Sequence, residues 1–383
     1  MTLATLAAAL PLAIWLYLLF ARGGFWWPAR ELTALAHGGP ALTVVAVVPA
    51  RNEAEGIAAA VHSLLTQRFL GSLHVVVVDD GSTDGTAEVA RRAAPAGRAE
   101  ERLSVIPGAP LEGGWTGKLW AMSQGVRAAA RLAPDFLLFT DADIEHHPEN
   151  VASLVAAAES QRLDLLSLMV RLSTRTFPER CLIPAFVFFF LMLYPPSRIA
   201  SPRSRVAGAA GGCMLVRPAA LERAGGLAAI RDRIIDDCAL ARIIKDSGGA
   251  IALRVTRRTR SLRVYGTFAE IGAMISRTAF NQLRHSYALL AGTLLGLTVT
   301  YLAPPLLLLC GQPTVRALGA AAWLVMTLCY LPLVRCYRIG SAYALLLPAV
   351  AAFYAGATVH SAVRFATGRG GRWKGRVQDI RPV

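Results

Sequence analysis

Long apolar segments at both ends of the chain restrict its possible folds more than any other feature. Residues 1–20 read MTLATLAAALPLAIWLYLLF and contain no charged side chain. A helix needs roughly 20 apolar residues to cross the hydrocarbon core of a bilayer. Because Arg22 and Arg30 follow this run, with aromatic residues between them, residues 1–22 predict a transmembrane anchor rather than a signal peptide.

Three more apolar segments lie near the C-terminus, and they are 287–310, 317–334 and 342–363. Together they predict transmembrane segments over residues 287–363, followed by a strongly basic tail over 364–383. Three full spans after a cytoplasmic domain would put that tail outside, against the preference of basic residues for the cytoplasm. Either the tail breaks this preference or one proline-containing segment is re-entrant, at Pro304–Pro305 or at Pro348. We prefer a cytoplasmic tail.

The composition agrees with a multi-pass protein of the inner, cytoplasmic membrane. Hydrophobic residues make up 54% of the chain, and its net charge is +15. Such basic charge suits the anionic inner leaflet, or a substrate that carries phosphate. No nucleic-acid partner is expected, because the basic residues adjoin hydrophobic segments instead of forming a separate arm. The six cysteines lack zinc spacing and are expected to be reduced and buried.

Between the apolar ends, the pattern changes to alternating strands and helices. Four short apolar runs predict buried strands, namely LTVVAVVPA (42–50), LHVVVVDD (73–80), LSVIP (103–107) and DFLLFTDAD (135–143). Helical patterns separate them at 53–66, 86–97 and 118–132. This alternation predicts an α/β domain with a mainly parallel, Rossmann-like sheet. Ligands bind such sheets at the carboxyl ends of the strands.

One apolar segment interrupts this middle region. Residues 181–196, CLIPAFVFFFLMLYPP, are shorter than a membrane span and contain several prolines. They predict an interfacial or re-entrant element that would form a hydrophobic floor for a lipid acceptor. The alternative is a plain core helix.

Two acids follow the fourth predicted strand. Asp141 and Asp143 could place carboxylate oxygens on one Mg²⁺ or Mn²⁺, with a substrate diphosphate completing the ligand shell. The alternative is that both are solvated acids of a turn. His146 and His147 come soon after, but they lie beyond the strand turn of an oxygen-rich site, so neither is expected to bind metal.

Other candidates for donor binding follow the first two strands. Asp80 could accept from the N3–H of a uracil, and Glu53 could hold a ribose. Asp79 also has an ordinary role available in the turn. Lys118, in the glycine-rich loop GGWTGKLWA (113–121), could meet a diphosphate as a point charge.

The acidic and basic residues further along the chain each allow two interpretations of their role. Asp236 and Asp237 start an amphipathic pattern, where they could cap a helix or one of them could act as a general base for a hydroxyl acceptor. The arginines of RVTRRTRSLRVYGTF (254–268) could face anionic headgroups, which we prefer, or reach the diphosphate.

These motifs resemble those of one family. VVPARNE, VVVDDGSTDGT, LLFTDAD, a glycine-rich stretch at 208–226 and IIDDCAL occur in the order and approximate spacing of family 2 glycosyltransferases, the inverting GT-A type. The resemblance covers about residues 42–285. The membrane layout, GWTGKLWA and the WKGR tail look most like the hopene-associated, ceramide-glucosyltransferase-like branch.

The resemblance implies a role for each candidate. Asp80, Glu53 and the Pro49–Arg51 loop would hold the nucleotide, with Asp79 and Lys118 also on the donor side. Asp141 and Asp143 would face the diphosphate and a divalent cation, Asp143 being the principal ligand. Asp237 would deprotonate the acceptor, and Asp236 stands where many members have glutamate. The implied partners are a nucleotide-sugar donor, a UDP-sugar in first place, and a lipid acceptor such as a hopanoid.

One motif departs from the family. Processive and ceramide-type members carry (Gln/Arg)-x-x-Arg-Trp before the later membrane segments, whereas this chain has NQLRHS. Arg284 matches the arginine, His285 replaces the tryptophan, and we expect both in the acceptor and diphosphate region. The change disfavours a processive polysaccharide synthase, which stays an alternative. A non-catalytic GT-A scaffold in lipid biosynthesis is the alternative from another class.

Overall fold

The computed structural model describes residues 3–27, 41–97, 100–368, 372–373 and 376–377. Arg30 and most of the basic tail expected at 364–383 lie outside these residues. Contacts within the chain divide it into two units. The membrane-helix unit comprises Met1–Pro28, Thr174–Ser197 and Val264–Arg372, and the sheet unit comprises Ala29–Ser173, Arg198–Arg263 and Trp373–Val383.

The strands belong to one large sheet and one small ribbon. In chain order they are β1 (Thr43–Ala50), β2 (Ser72–Asp79), β3 (Leu103–Pro107), β4 (Phe136–Thr140), β5 (Ile144–Glu145), β6 (Leu165–Arg171), β7 (Cys213–Val216), β8 (Ile251–Ser261), β9 (Arg372–Trp373) and β10 (Arg376–Val377). The large sheet has the order β3-β2-β1-β4-β7-β6-β8-β5, and β9 pairs with β10.

The helices connect these strands or form the membrane-helix unit. They are α1 (Leu3–Ala21), α2 (Ala54–Leu65), α3 (Thr86–Arg92), α4 (Gly117–Ala129), α5 (Asn150–Ser160), α6 (Phe177–Leu193), α7 (Pro196–Ala200), α8 (Pro218–Arg223), α9 (Asp236–Asp246), α10 (Phe268–Ser276), α11 (Ala279–Gln282), α12 (Tyr287–Leu297), α13 (Ala303–Leu307), α14 (Pro313–Cys336) and α15 (Leu347–Ala366).

The sheet confirms the predicted mainly parallel, Rossmann-like α/β fold. β1 pairs in parallel with β2 and β4, and β2 pairs in parallel with β3. Seven of the eight residues of β1 are buried, as expected for a strand covered on both faces. Two strands are exceptions: β7 runs antiparallel between β4 and β6, and β5 pairs antiparallel with β8. β6 and β8 are again parallel to each other.

In the membrane-helix unit, five helical segments are long and apolar enough to cross a membrane, judged by length and composition and within the described residues. They are Leu3–Ala21, Phe177–Ala200, Tyr287–Leu307, Pro313–Cys336 and Ser341–Ala366. Four of them match the predicted anchor and C-terminal segments. The fifth contains the 181–196 segment: α6 continues through Pro184 and ends at Leu193, and α7 begins at Pro196. The expected interfacial or re-entrant role of this segment stays a prediction.

The sheet restricts what Phe177–Ala200 can do in a membrane. β6 precedes this segment and β7 follows it, yet the two strands pair directly. A single crossing would place partners of one sheet on opposite sides of the bilayer. The pairing therefore argues against one full crossing, and it supports the predicted interfacial or re-entrant element.

The anchor helix α1 is tied to a broken helix of its own unit. Between α12 and α13 the helix widens to a π turn at Thr298–Leu302. The carbonyl of Thr300 would normally accept from the residue four or five positions on, but Pro304 and Pro305 have no N–H. Trp15 Nε1 donates to this oxygen instead, at 2.8 Å, and the Trp15 side chain is fully buried. An unsatisfied carbonyl is costly at membrane depth, so this bond replaces the missing backbone bond.

We expect Trp15→Phe to lower the free energy of unfolding by about 1–3 kcal/mol, because a buried acceptor loses its donor. Pro304→Ala restores a backbone N–H within reach of Thr300, so it should make Trp15→Phe less costly. Thermal midpoints in detergent for the two variants and their combination would measure this coupling. Trp27→Phe, at an exposed tryptophan, serves as the control, and strictly additive effects would contradict the assignment.

Labelling from the two sides of the membrane tests whether Phe177–Ala200 crosses the membrane fully or returns to the side from which it entered. In a cysteine-free background, Ser173→Cys and Ser201→Cys should react with an impermeant maleimide from the same side of sealed vesicles. Glu88→Cys, on an exposed side chain of the sheet unit, reports the side on which that unit lies. Labelling of positions 173 and 201 from opposite sides would establish a full crossing.

Candidate nucleotide-sugar site

The candidate residues collect at one edge of the large sheet. β1, β2 and β4 are parallel, so the loops after them leave from the same edge. Thr140, the last residue of β4, lies opposite Cys213, the first residue of β7. The glycine-rich stretch before β7 therefore reaches this edge too. β8 runs in the same direction as β4, and Arg263 follows its end.

The loops after β1 and β2 are joined by hydrogen bonds. Arg51 donates through Nη1 to the carbonyl of Asp80 and, at 3.2 Å, to that of Gly81. Its Nη1 is also 3.9 Å from Asp80 Oδ2. Asn52, at φ +51°, accepts from the Thr83 N–H at 2.9 Å. The two loops thus form one braced rim around Asp80, whose side chain is almost completely buried.

Two of the predicted donor residues have structural contacts in this rim. Asp79 Oδ1 accepts from the Ser82 N–H at 3.2 Å and also from the Ser82 hydroxyl, which is the ordinary turn role considered above. Pro49 lies buried within β1. Their contribution to donor binding stays a prediction, as it does for Asp80.

Glu53 and Asp143 share one arginine. Arg263 Nη2 donates to both carboxylate oxygens of Glu53, at 2.9 and 3.0 Å, and its Nε lies 3.3 Å from Asp143 Oδ2. The Ser261 hydroxyl donates to the same oxygen of Asp143 at 2.9 Å. Arg263 was not singled out from the sequence, because the run at 254–268 was read mainly as facing headgroups. Its position just after a strand that ends at the ligand edge was the signal that could have found it.

Lys118 connects an acid on the donor side of the site with an acid next to Asp237, the predicted general base. The lysine lies in the first turn of α4, and its Nζ is 2.9 Å from Asp141 Oδ1 and 3.1 Å from Asp236 Oδ2. Asp141 follows β4, whereas Asp236 opens α9, almost a hundred residues later. Lys118, which was predicted to contact a diphosphate, is therefore held between two carboxylates. Asp141 belongs to the donor side, and Asp236 lies next to the predicted general base.

Asp237 is held next to this pair by backbone donors. Its Oδ2 accepts from the Gly211 N–H at 2.9 Å, and its Oδ1 accepts from the Cys238 N–H at 2.7 Å. A Cβ at position 211 would lie 3.3 Å from Asp237 Oδ2 and 3.4 Å from Lys118 Nζ. The glycine therefore allows the backbone to approach both charged groups closely.

The charges of this cluster shift the protonation of its members. Burial, and then the neighbouring Asp236, raise the pKa of Asp237 to about 6, against the opposing effect of Lys118 and the two backbone donors. Burial alone would lower the pKa of Lys118, but Asp141 and Asp236 outweigh it and raise that pKa above the usual value. Lys118 thus stays charged while Asp237 titrates near neutrality, as a general base should.

The two acids after β4 provide a suitable donor set for a divalent cation. Lys118 faces Oδ1 of Asp141, and Ser261 and Arg263 face Oδ2 of Asp143, so each acid keeps one oxygen without a protein partner in the described part of the chain. Hard carboxylate oxygens are what Mg²⁺ and Mn²⁺ prefer. No group of three or more metal-binding side chains is found among the described residues. Phosphate oxygens of a substrate would have to complete the shell.

The two histidines after β5 have structural contacts. Buried His146 lies 3.0 Å from the Thr140 hydroxyl and 2.9 Å from Asn150 Nδ2, and burial lowers its pKa to about 3. His147 accepts from the Glu149 N–H at 3.3 Å through Nδ1.

Arg284 and His285 belong to the membrane-helix unit. Both adopt a positive φ, +52° and +55°, in the turn between α11 and α12. The ring of His285 stacks on Phe365, with centroids 4.0 Å apart and the planes 10° apart. An aromatic contact thus stands where the family carries tryptophan. The assignment of both residues to the acceptor and diphosphate region stays a prediction.

Comparison with known proteins shows which family model part of this chain matches. Residues 45–225, a little under half of the chain, match the family model described as Glycosyl transferase family 2. This match agrees with the family part of the resemblance. The hopene-associated branch stays a prediction.

Two similar proteins add detail. The 4,4'-diaponeurosporenoate glycosyltransferase of Staphylococcus aureus (strain USA300) is 36% identical over 104 residues, which cover 27% of this chain and 24% of that protein. The chain thus spans about a quarter of the length of the curated relatives it matches. A mannosyltransferase from Pyrobaculum calidifontis, solved with GDP-Man and Mn²⁺, is 19% identical over 96% of this chain and 91% of its own, with a TM-score of 0.52. This likeness confirms the GT-A fold.

We expect Lys118→Met to move the acidic limb of the pH profile for sugar-nucleotide turnover to higher pH. The wild-type rate should fall as pH drops through about 6, because protonated Asp237 cannot accept a proton. Removing the lysine removes a charge that lowers the pKa of Asp237, so that pKa rises, by about one unit. Arg91→Gln, at an exposed arginine, is the control, and an unshifted limb with a reduced plateau would contradict the coupling.

Proposed function

We propose that this protein is a membrane-bound inverting glycosyltransferase that moves a sugar from a nucleotide-diphosphate sugar to a lipid hydroxyl. The observation that carries the proposal is the bridge from Asp141 through Lys118 to Asp236, beside Asp237. It joins a donor-side acid to a pair of acids at one sheet edge, and one of that pair, Asp237, has a raised pKa. A binding scaffold has no need for such an arrangement.

The donor would lie across the ends of β1, β2 and β4. Asp80, which is braced by Arg51, would bind the nucleobase, and Glu53 would bind the ribose. Asp141 and Asp143 would face the diphosphate. A divalent cation held by Asp143 and Asp141 would neutralise the charge that develops on the leaving diphosphate. The P. calidifontis protein, solved with GDP-Man and Mn²⁺, supports a nucleotide-sugar donor and a divalent cation at the level of the fold. We keep a UDP-sugar as the first candidate and a GDP-sugar as the second.

The transfer step would rely on Asp237. Its carboxylate takes the proton of the acceptor hydroxyl as that oxygen attacks the anomeric carbon. The bond between the anomeric carbon and the diphosphate oxygen breaks in the same step, and a single displacement inverts the configuration. Lys118 stays protonated between Asp141 and Asp236, where it limits the repulsion among the acids and keeps Asp237 ionised near neutral pH.

A lipid acceptor is supported by the membrane-helix unit and by one relative. The segment Phe177–Ala200 is apolar, and its flanking strands β6 and β7 pair with each other, which suits an element that enters the leaflet from the side of the sheet unit. The S. aureus relative is named for 4,4'-diaponeurosporenoate. A hopanoid is our narrower candidate, and the cytoplasmic face of the inner membrane is the proposed location.

Two other functions remain distinguishable by experiment. A processive polysaccharide synthase would give long products, whereas a lipid glycosyltransferase adds a single sugar. A non-catalytic scaffold would bind no nucleoside diphosphate in calorimetry with Mn²⁺ present. The first is disfavoured by NQLRHS, and the second by the charged cluster around Lys118.

The central test is sugar transfer by the purified protein. In detergent with Mn²⁺, a lipid extract and radiolabelled nucleotide sugars, the wild type should label a lipid, and Asp237→Asn should lower the rate by about 10²–10⁴ because the base is lost. Asp232→Asn changes an exposed acid nearby, paired only with its neighbour Arg233 at 3.5 Å, and should leave the rate unchanged. Equal rates for wild type and Asp237→Asn, or no labelled lipid, would refute the proposal.

A further inference from the structure

Arg263 has no role in the transfer step described above, although it contacts two of the acids proposed to bind the donor. Its guanidinium forms a bidentate contact with Glu53 and a third contact with Asp143. The side chains of Glu53 and Asp143 are 17% and 16% exposed, and that of Arg263 is 38% exposed. The acids are thus largely shielded, while the arginine keeps access to solvent and to a ligand.

The backbone holds this contact in place from both sides. Ile144, next to Asp143, pairs with Ser261, and the Leu262 N–H donates to the Asp143 carbonyl at 2.8 Å. Ser261 also binds the Asp143 side chain and accepts from the Arg263 N–H at 3.3 Å. The pairing of β5 with β8 therefore places Arg263 next to Asp143. A flexible surface arginine would lack this backbone support.

We propose that Arg263 is an internal counter-ion that competes with the divalent cation for Asp143 and thereby couples cation binding to nucleotide binding. A guanidinium and a divalent cation are both positive, so a cation on Asp143 is opposed by a charge already in contact with the same carboxylate. A nucleoside diphosphate offers Arg263 phosphate oxygens, to which arginine binds well. The inference rests on the proposed function, because it assumes that Asp143 receives the cation.

The competition has a defined thermodynamic consequence. If the diphosphate draws Arg263 away from Asp143, nucleotide and cation each raise the affinity for the other, by the same factor. Part of that factor comes from direct contact between phosphate and cation, which every such site has. The part due to Arg263 disappears when its charge is removed, because the cation then no longer meets this charge on Asp143, even without nucleotide.

The test measures Mn²⁺ binding instead of turnover. We expect Arg263→Gln to bind Mn²⁺ about tenfold more tightly than the wild type in the absence of nucleotide, since one nearby positive charge is lost. The free Mn²⁺ signal in electron paramagnetic resonance gives this affinity. The enhancement of GDP or UDP affinity by Mn²⁺, measured by calorimetry, should be smaller in Arg263→Gln than in the wild type.

Three variants separate charge from structure. Arg263→Lys keeps the charge and should bind Mn²⁺ as the wild type does. Arg260→Gln removes another β8 arginine, paired with Glu145, and should also leave the affinity unchanged. Asp143→Asn should abolish the measured binding and so assign it to this site.

The outcomes distinguish this inference from the proposed function. If the wild type binds no Mn²⁺ that depends on Asp143, with or without nucleotide, the metal part of the proposed function fails. If the wild type binds Mn²⁺ at Asp143 but Arg263→Gln binds it equally or more weakly, only the role of Arg263 is overturned. Equal tightening by Arg260→Gln would also overturn it, because the effect would then reflect overall charge.

Discussion

The ion pairs of Lys118 are the interaction on which the candidate site depends. Several carboxylates converge on one sheet edge, and close acids repel one another unless a positive charge lies between them. Lys118 supplies that charge at 2.9 and 3.1 Å, from a helix that begins at Gly117. The same contact fixes Asp141 relative to α9, so the lysine sets both the electrostatics and the geometry. Gly211 is part of this arrangement, because a Cβ there would crowd both Asp237 and Lys118 at the point where the backbone donates to Asp237.

Much of the fold was predictable because burial leaves a clear pattern in the sequence. The apolar runs before Asp79 and Asp141 are largely buried strands, and the acids at their ends fall at one edge because parallel strands must share it. The contacts of Lys118 with two acids, by contrast, depend on the first turns of α4 and α9 meeting in space, which no local pattern encodes. The role of Arg263 was missed for the same reason: it requires β5 to pair with β8 across more than a hundred residues.

Proline was the least reliable indicator of where a helix is interrupted. In 181–196 proline gave a mixed signal, because α6 continues through Pro184 but ends at Leu193, just before Pro195. In the segment Tyr287–Leu307 it was read as a sign of re-entrance, and there the helix does widen, just before Pro304–Pro305. Whether a proline ends a helix depends on whether another group can satisfy the carbonyl that it leaves free, and that partner lies elsewhere in the chain.

The bond between Trp15 and Thr300 has a consequence for how the first helix is regarded. An N-terminal apolar helix is often treated as a tether that any other membrane span could replace. Here its indole supplies a donor that prolines almost three hundred residues away have removed. The first helix is therefore an integral part of the helix packing in its unit, and a generic span of equal length and hydrophobicity would be no substitute for it.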